Sequence, residues 1–141
     1  MRVSVTAAVL IACLMFATGC GAKASTRKLI KVSGTVTFAG KPLETGTITF
    51  VAEGNEPMNA AGDIKAGKYT LSTEKPGDGA PPGAYKVRIE SWATPPKMDE
   101  KGFEAGKSAI PERFNVAGSS GLTATIKDAP AAQEANFDLT E

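Results

Sequence analysis

From Leu29 to the end of the chain, apolar residues recur at every second position, and no segment shows a convincing helical period. A period of two belongs to a strand with one buried face, because successive side chains of a strand point to opposite sides. In the first such segment Ile30, Val32, Val36 and Phe38 share a face, and Lys31, Ser33, Thr35 and Thr37 share the other. After a turn at Gly40-Lys41-Pro42, Gly46-Thr47-Ile48-Thr49-Phe50 nearly repeats Gly34-Thr35-Val36-Thr37-Phe38. Further strands are predicted at 58–64, at 68–73 with Tyr69 and Leu71 inward, and at 84–92 with Tyr85, Val87 and Ile89 inward. Two more close the chain, at 122–127 (Leu122, Ala124, Ile126) and 135–140 (Ala135, Phe137, Leu139). Clusters of Gly, Pro and Asp at 63–67, 76–83 and 128–130 supply the turns. Seven short strands with one wet face each predict an all-β fold, a seven-stranded antiparallel Greek-key sandwich, with a barrel as the other closure.

The first 20 residues are of a different kind. One early cation, Arg2, precedes an uncharged stretch from Val3 to Thr18, and small residues stand directly before a cysteine in Phe16-Ala17-Thr18-Gly19-Cys20. This stretch resembles the processing site of bacterial lipoproteins, although Ala17 stands where that family most often has Leu. The resemblance implies cleavage before Cys20, a diacylglyceryl group on its thiol, and usually an acylated N-terminus. Several acyl chains make a durable anchor where one holds only marginally. An ordinary secretory leader and an uncleaved span are the alternatives. The span is short of the roughly 20 apolar residues a bilayer requires. The expected organisation is a leader over 1–19, a lipidated basic tether over 20–28 and one domain over 29–141, exported and anchored to the periplasmic or cell-surface face of a membrane.

Loss of the leader removes one of 16 basic residues, Arg2, against 15 acids, and leaves the chain formally neutral. A neutral domain lacks the clustered positive field that phosphate backbones require, so nucleic acid is excluded as a partner. The charge is uneven, because Lys23, Arg27, Lys28, Lys31 and Lys41 all precede the first acid, Glu44. A basic tether suits a membrane surface. Cys13 lies in the leader and Cys20 carries the lipid, so no disulfide is expected, and a single apolar core must suffice at this length. A monomer is expected.

Gly34-Thr35-Val36, Gly40-Lys41-Pro42-Leu43, Gly46-Thr47-Ile48, Gly67-Lys68-Tyr69-Thr70-Leu71 and Pro82-Gly83-Ala84-Tyr85-Lys86-Val87 follow one another in order. Together they resemble carboxypeptidase regulatory-like domains, which are transthyretin-like β-sandwiches, over most of 32–139. With the lipidation signal, the chain is similar to small bacterial envelope lipoproteins built from one such domain. The resemblance implies an accessory role without catalysis.

The chain contains no histidine, which removes the usual general base and the commonest transition-metal ligand. No catalytic residue, metal or cofactor is assigned. Asp99, Glu100 and Glu104 in one loop, with Asp63 and Asp78 in others, fit neither a glycosidase pair nor a calcium loop by spacing. An internal amide between Lys31 and Asn136 or Asp138, as in related collagen-adhesin repeats, is opposed by parity, which puts all three on wet faces. The long link 93–121 is the most unusual part of the domain. Ile110 and Phe114 are expected to pin its second half, with 95–106 mobile. Trp92, out of phase with Tyr85, Val87 and Ile89, should leave the core. Trp92, Arg113 and Phe114 are the candidate partner-binding residues, for an envelope protein or a polysaccharide, against an alternative in which the link only covers a sheet edge.

Overall fold

In the computed structural model, which describes residues 27–54 and 58–141, each predicted segment contains a strand, and the described chain is all-β apart from one 3-10 turn. The leader, Cys20 and most of the tether lie outside the described residues. The strands are β1 (Val32–Phe38), β2 (Lys41–Pro42), β3 (Thr45–Ala52), β4 (Ala60–Lys65), β5 (Lys68–Thr70) and β6 (Gly83–Glu90). They continue as β7 (Trp92–Thr94), β8 (Lys97–Asp99), β9 (Gly102–Glu104) and β10 (Lys107–Ser108). After the 3-10 turn Glu112–Asn115 come β11 (Leu122–Ile126), β12 (Gln133–Glu134) and β13 (Phe137–Leu139).

One curled sheet runs in the order β11-β6-β3-β4-β5-β1-β12, with β2 and β13 also on β1. Its two halves face a single core, to which β3 and β6 contribute Ile48, Phe50, Val87 and Ile89, and β1, β5 and β13 contribute Val32, Val36, Tyr69 and Leu139. Phe50 is the hub, with the rings of Tyr85, Phe137 and Tyr69 at 5.7, 6.0 and 6.4 Å between centroids. These tilted and edge-on contacts are the favoured aromatic geometries.

The expectation of purely antiparallel pairing needs one correction. β1 runs parallel to β12 and β13, with Val32 opposite Gln133 and Val36 opposite Phe137. The cause is topological. Ile126 of β11 lies opposite Gly83, and Ile30 bridges Ala80, so β11 ends at the end of the sheet where β1 begins. The last strand therefore sets off beside β1 in the same direction.

The C-terminal segment is split into β12 and β13 where it crowds β1. A Cβ on Gly34 would stand 1.8 Å from the Ala135 carbonyl oxygen, so only glycine fits there. Across the sheet Tyr69 pairs with Gly34, and its hydroxyl donates to that same carbonyl at 2.6 Å. One residue on, the Asn136 side chain replaces a backbone rung, Oδ1 accepting the Thr35 amide at 2.8 Å and hydroxyl at 2.9 Å. Asp138 accepts the Thr37 hydroxyl at 2.7 Å. Lys31, Asn136 and Asp138 are all exposed, as parity requires. Gln133 performs a similar substitution on the other side, where its amide bonds both the N–H and the C=O of Lys127 at 3.0 and 2.6 Å.

Other polar groups hold the connections. The Tyr85 hydroxyl donates to the Pro81 carbonyl at 2.8 Å, a bond of the tyrosine-corner kind. Lys75-Pro76-Gly77-Asp78 is closed by an Asp78 N–H to Lys75 carbonyl bond of 3.1 Å, with Gly77 at φ 72°. This is the Pro-Gly chemistry of a type II turn. The Asp78 carboxylate accepts the amides of Thr73, Glu74 and Lys75. Desolvation works to raise its pKa, and the amides of Thr73, Lys75, Glu74 and Asp78 itself outweigh it, holding the group below its ordinary value.

Candidate functional site

The link 93–121 carries strands of its own, and with them the most exposed apolar side chains of the described residues. β6 ends where Ser91, buried, donates its hydroxyl to the Thr45 carbonyl at 2.7 Å. The next residue continues the alternation on its outward side, and Trp92 emerges 39% exposed. From there β7 pairs with β10, Thr94 opposite Lys107 and Trp92 opposite Ser108, with a register shift between the two. Such an irregularity turns a strand out of its sheet. Pro95-Pro96 ends β7, and the two legs then pass so closely that a Cβ on Gly106 would stand 2.6 Å from the Pro96 nitrogen and 2.8 Å from the Thr94 oxygen.

Beyond that crossing β8 and β9 form a hairpin arm, with Lys97 opposite Glu104 and Met98 opposite Phe103. The Asp99 carboxylate accepts the Lys101 amide at 2.8 Å across the turn. Met98 is 79% and Phe103 67% exposed. With Trp92 they make three of the four large hydrophobic residues exposed among the described residues, the fourth being Val116.

A groove of about 470 Å³ lies beside Trp92, with Phe38, Pro42 and Leu43 on its apolar side and Lys41 and Glu44 as its charged groups. It opens at the end of the sheet opposite to Gly83 and Ile30.

The sequence candidates are thus separated. Trp92 lines the groove, and Phe114 and Arg113 do not. Phe114 is 4% exposed, a core residue carried by the 3-10 turn. The Arg113 guanidinium stacks 4.6 Å from the Phe114 ring centroid and donates to the carbonyls of Thr140 and Glu141 at 2.8 and 3.1 Å. Arg113 therefore fastens the end of the chain. Ile110 is buried, so the second half of the link is pinned as expected. The segment 95–106 carries the β8–β9 hairpin.

Met98 and Phe103 were not predicted as site residues, because strands of three residues with a single apolar side chain each cannot display a period. The cue was local: Asp99-Glu100-Lys101-Gly102 is turn chemistry flanked by Met98 and Phe103. The loop acids do not converge, since among the described residues no three Asp, Glu, His or Cys side chains form a metal-binding group. Among the same residues no helix is long and apolar enough to cross a membrane.

No family model matches the chain, and no curated protein matches it. Among solved structures the chain is similar to a 9R-lipoxygenase from Cyanothece PCC8801, at 15% identity and a TM-score of 0.40. The match covers 80% of this chain and 16% of that one. Likeness at this level says nothing about activity.

Proposed function

We propose that this protein is an exported envelope lipoprotein, anchored through lipid on Cys20, whose domain is a non-enzymatic binding or structural module. Its fold is read as a Greek-key, transthyretin-like sandwich of the carboxypeptidase regulatory-like kind. Supporting that fold are the two sheet halves packed on one core and the Tyr85 bond to Pro81 at the head of β6. The absence of histidine supports the non-enzymatic reading.

The observation that carries the binding reading is the arm. Met98 and Phe103 sit opposite each other on a hairpin that contributes nothing to the core, and large apolar groups grouped in the open are a mark of contact surfaces. A photo-crosslinking side chain placed at Phe103 in intact cells is expected to give a discrete adduct that the same probe at Thr123, on β11, does not. No adduct at Phe103, or the same adducts from both positions, would leave the arm without a binding role.

The second reading, a carbohydrate-binding or enzyme-accessory module, rests on the groove beside Trp92. A half-exposed indole next to Pro42 and Phe38 offers a stacking face for a sugar ring. Saturable change in Trp92 emission on titration with cell-wall glycans, lost in Lys41→Ala or Pro42→Ala variants of unchanged stability, is the expected sign.

A further inference from the structure

The sheet has two unlike ends. Ile30, Ala80, Gly83 and Ile126 meet at one, by the Ile30–Ala80 bridge and the Gly83–Ile126 pair. The chain enters there, with Lys28 paired to Asp128 just beyond β11. A cavity of about 290 Å³ at the same place is lined by Arg27, Lys28, Glu53, Met58, Pro81 and Pro82, so the root of the tether lies against the Pro81-Pro82 turn. The arm leaves from the other end, after Glu90 of β6, which pairs with Thr47 of β3.

From these two ends we infer that the tether end, around Pro82, Asp128 and Ala131, is the membrane-facing surface of the domain, and that Trp92 and the arm point away from the bilayer that holds Cys20. This rests on the lipid-anchor reading. Six residues, 21–26, separate Cys20 from Arg27, and at about 3.3–3.6 Å per residue the seven steps reach at most roughly 25 Å. The eight residues of β6 place the arm's root about 25 Å from the tether end, at roughly 3.3 Å per residue. A domain standing arm-down in the bilayer would hold Arg27 at the limit of a fully extended tether before any of the arm's own length is counted. In this orientation the exposed Met98 and Phe103 make their contact outside the membrane that holds Cys20.

The orientation can be measured without biological lipidation. The chain 20–141 keeps every core residue, the first being Ile30, and Cys20 is then its only thiol. It is coupled through that thiol to a maleimide-headgroup lipid in phosphatidylcholine vesicles that also contain a headgroup nitroxide quencher. Trp92 is the only tryptophan. Its emission is compared with that of Pro82→Trp, Ala131→Trp and Phe103→Trp, each made together with Trp92→Phe. Quenching at least threefold stronger at positions 82 and 131 than at 92 and 103 is expected. Insertion of about 15 Gly-Ser residues after Ser25 should abolish the difference, because a longer coil permits any orientation.

Quenching at 103 as strong as at 82 would overturn the inference, and so would weak quenching at all four positions. Using two tether-end reporters keeps the result readable if one variant fails to fold. Failure of the anchor reading is seen separately, as absence of lipid label on Cys20 in cells, and leaves the vesicle result unaffected.

Discussion

The β3–β6 pair and the β8–β9 pair are both antiparallel and both bring large apolar side chains opposite or beside one another, yet their fates are opposite. Ile48, Phe50, Val87 and Ile89 are wholly buried between the sheet halves, whereas Met98 and Phe103 stand 79% and 67% in solvent. The first pair is held by what it packs against. The second is held by its own rungs, by the Asp99 turn and by the crossing at Gly106. An isolated two-stranded hairpin is marginal in water, so keeping apolar groups on one has no stability rationale. The difference separates residues the fold needs from residues it merely carries, and the latter are where a contact function can reside.

Two truncations test that separation most strongly. Phe50→Ala removes the hub of the aromatic cluster and is expected to cost about 3–5 kcal/mol, a large share of the roughly 5–15 kcal/mol that holds a domain together. Phe103→Ala should change global stability by less than about 0.5 kcal/mol. Denaturant unfolding of both decides the matter. A Phe103→Ala loss comparable to that of Phe50→Ala would mean that the arm is packed and not free.

Within the body, the seam between β1 and the last strand is the most exacting contact. Gly34→Ala forces a methyl into the Ala135 carbonyl, and a cost of about 3 kcal/mol or more follows from overpacking that rigid backbone cannot relieve. Tyr69→Phe leaves the same carbonyl without its hydroxyl donor, for about 1–3 kcal/mol. The arm has a parallel in Gly106→Ala, which should loosen the legs of the hairpin and leave the melting temperature of the body nearly unchanged. Hydrogen exchange separates these outcomes, with protection lost across β1 and β13 in the first two variants and across β8 and β9 alone in the third.

The seam also sets the alkaline limit. Burial, and for Tyr69 the neighbouring Glu134 carboxylate as well, raises the Tyr69 and Tyr85 pKa values above the ordinary value near 10. A phenol favoured in its neutral form by folding contributes stability that is complete below its unfolded pKa and is lost as pH rises past it. Thermal stability is therefore expected to fall above about pH 10, with a shallower fall in Tyr69→Phe. An unchanged slope in that variant would separate the seam from the alkaline transition.

The period of two located every strand that has a buried face, because burial imprints itself on alternate residues. It located the body and missed the arm for the same reason. Met98 and Phe103 leave no period, since nothing is buried beneath them. The sequence assigns Phe114 both to pinning the link and to meeting a partner, because a 3-10 turn of four residues is too short to show which side of it faces the core, and its burial agrees with the first. The sequence places Trp92 off the core because its position is out of phase with Tyr85, Val87 and Ile89, and the alternation of that long strand runs on unbroken through Ser91. The parallel direction of the last strand was not visible at all, being a property of where β11 ends and not of any residue in β13.

The smallest effects are expected at the turns, where the two regions differ most in chemistry. The body closes two of its hairpins with Ala39-Gly40 and Ala66-Gly67, at φ 49° and 76° and φ 48° and 75°. Alanine in the left-handed region costs about 1–2 kcal/mol. Tertiary hydrogen bonds offset that strain, since the turns are tied by Ala39 N–H to the Leu139 carbonyl and Ala66 N–H to the Glu44 carbonyl. The arm has no such support and uses Asp99 and Gly102, residues suited to their turn on local grounds. Ala66→Asn should therefore stabilise the body by up to about 1 kcal/mol, because asparagine enters that region more readily. That gain corresponds to a rise in melting temperature of up to roughly 4 °C for a domain of about this size. Asp99→Ala should leave the melting temperature unchanged and still collapse amide protection in β8 and β9. If Asp99→Ala lowered the global melting temperature as much as Ala66→Asn raised it, the arm would be part of the cooperative fold, and its exposed pair would need a structural explanation in place of a binding one.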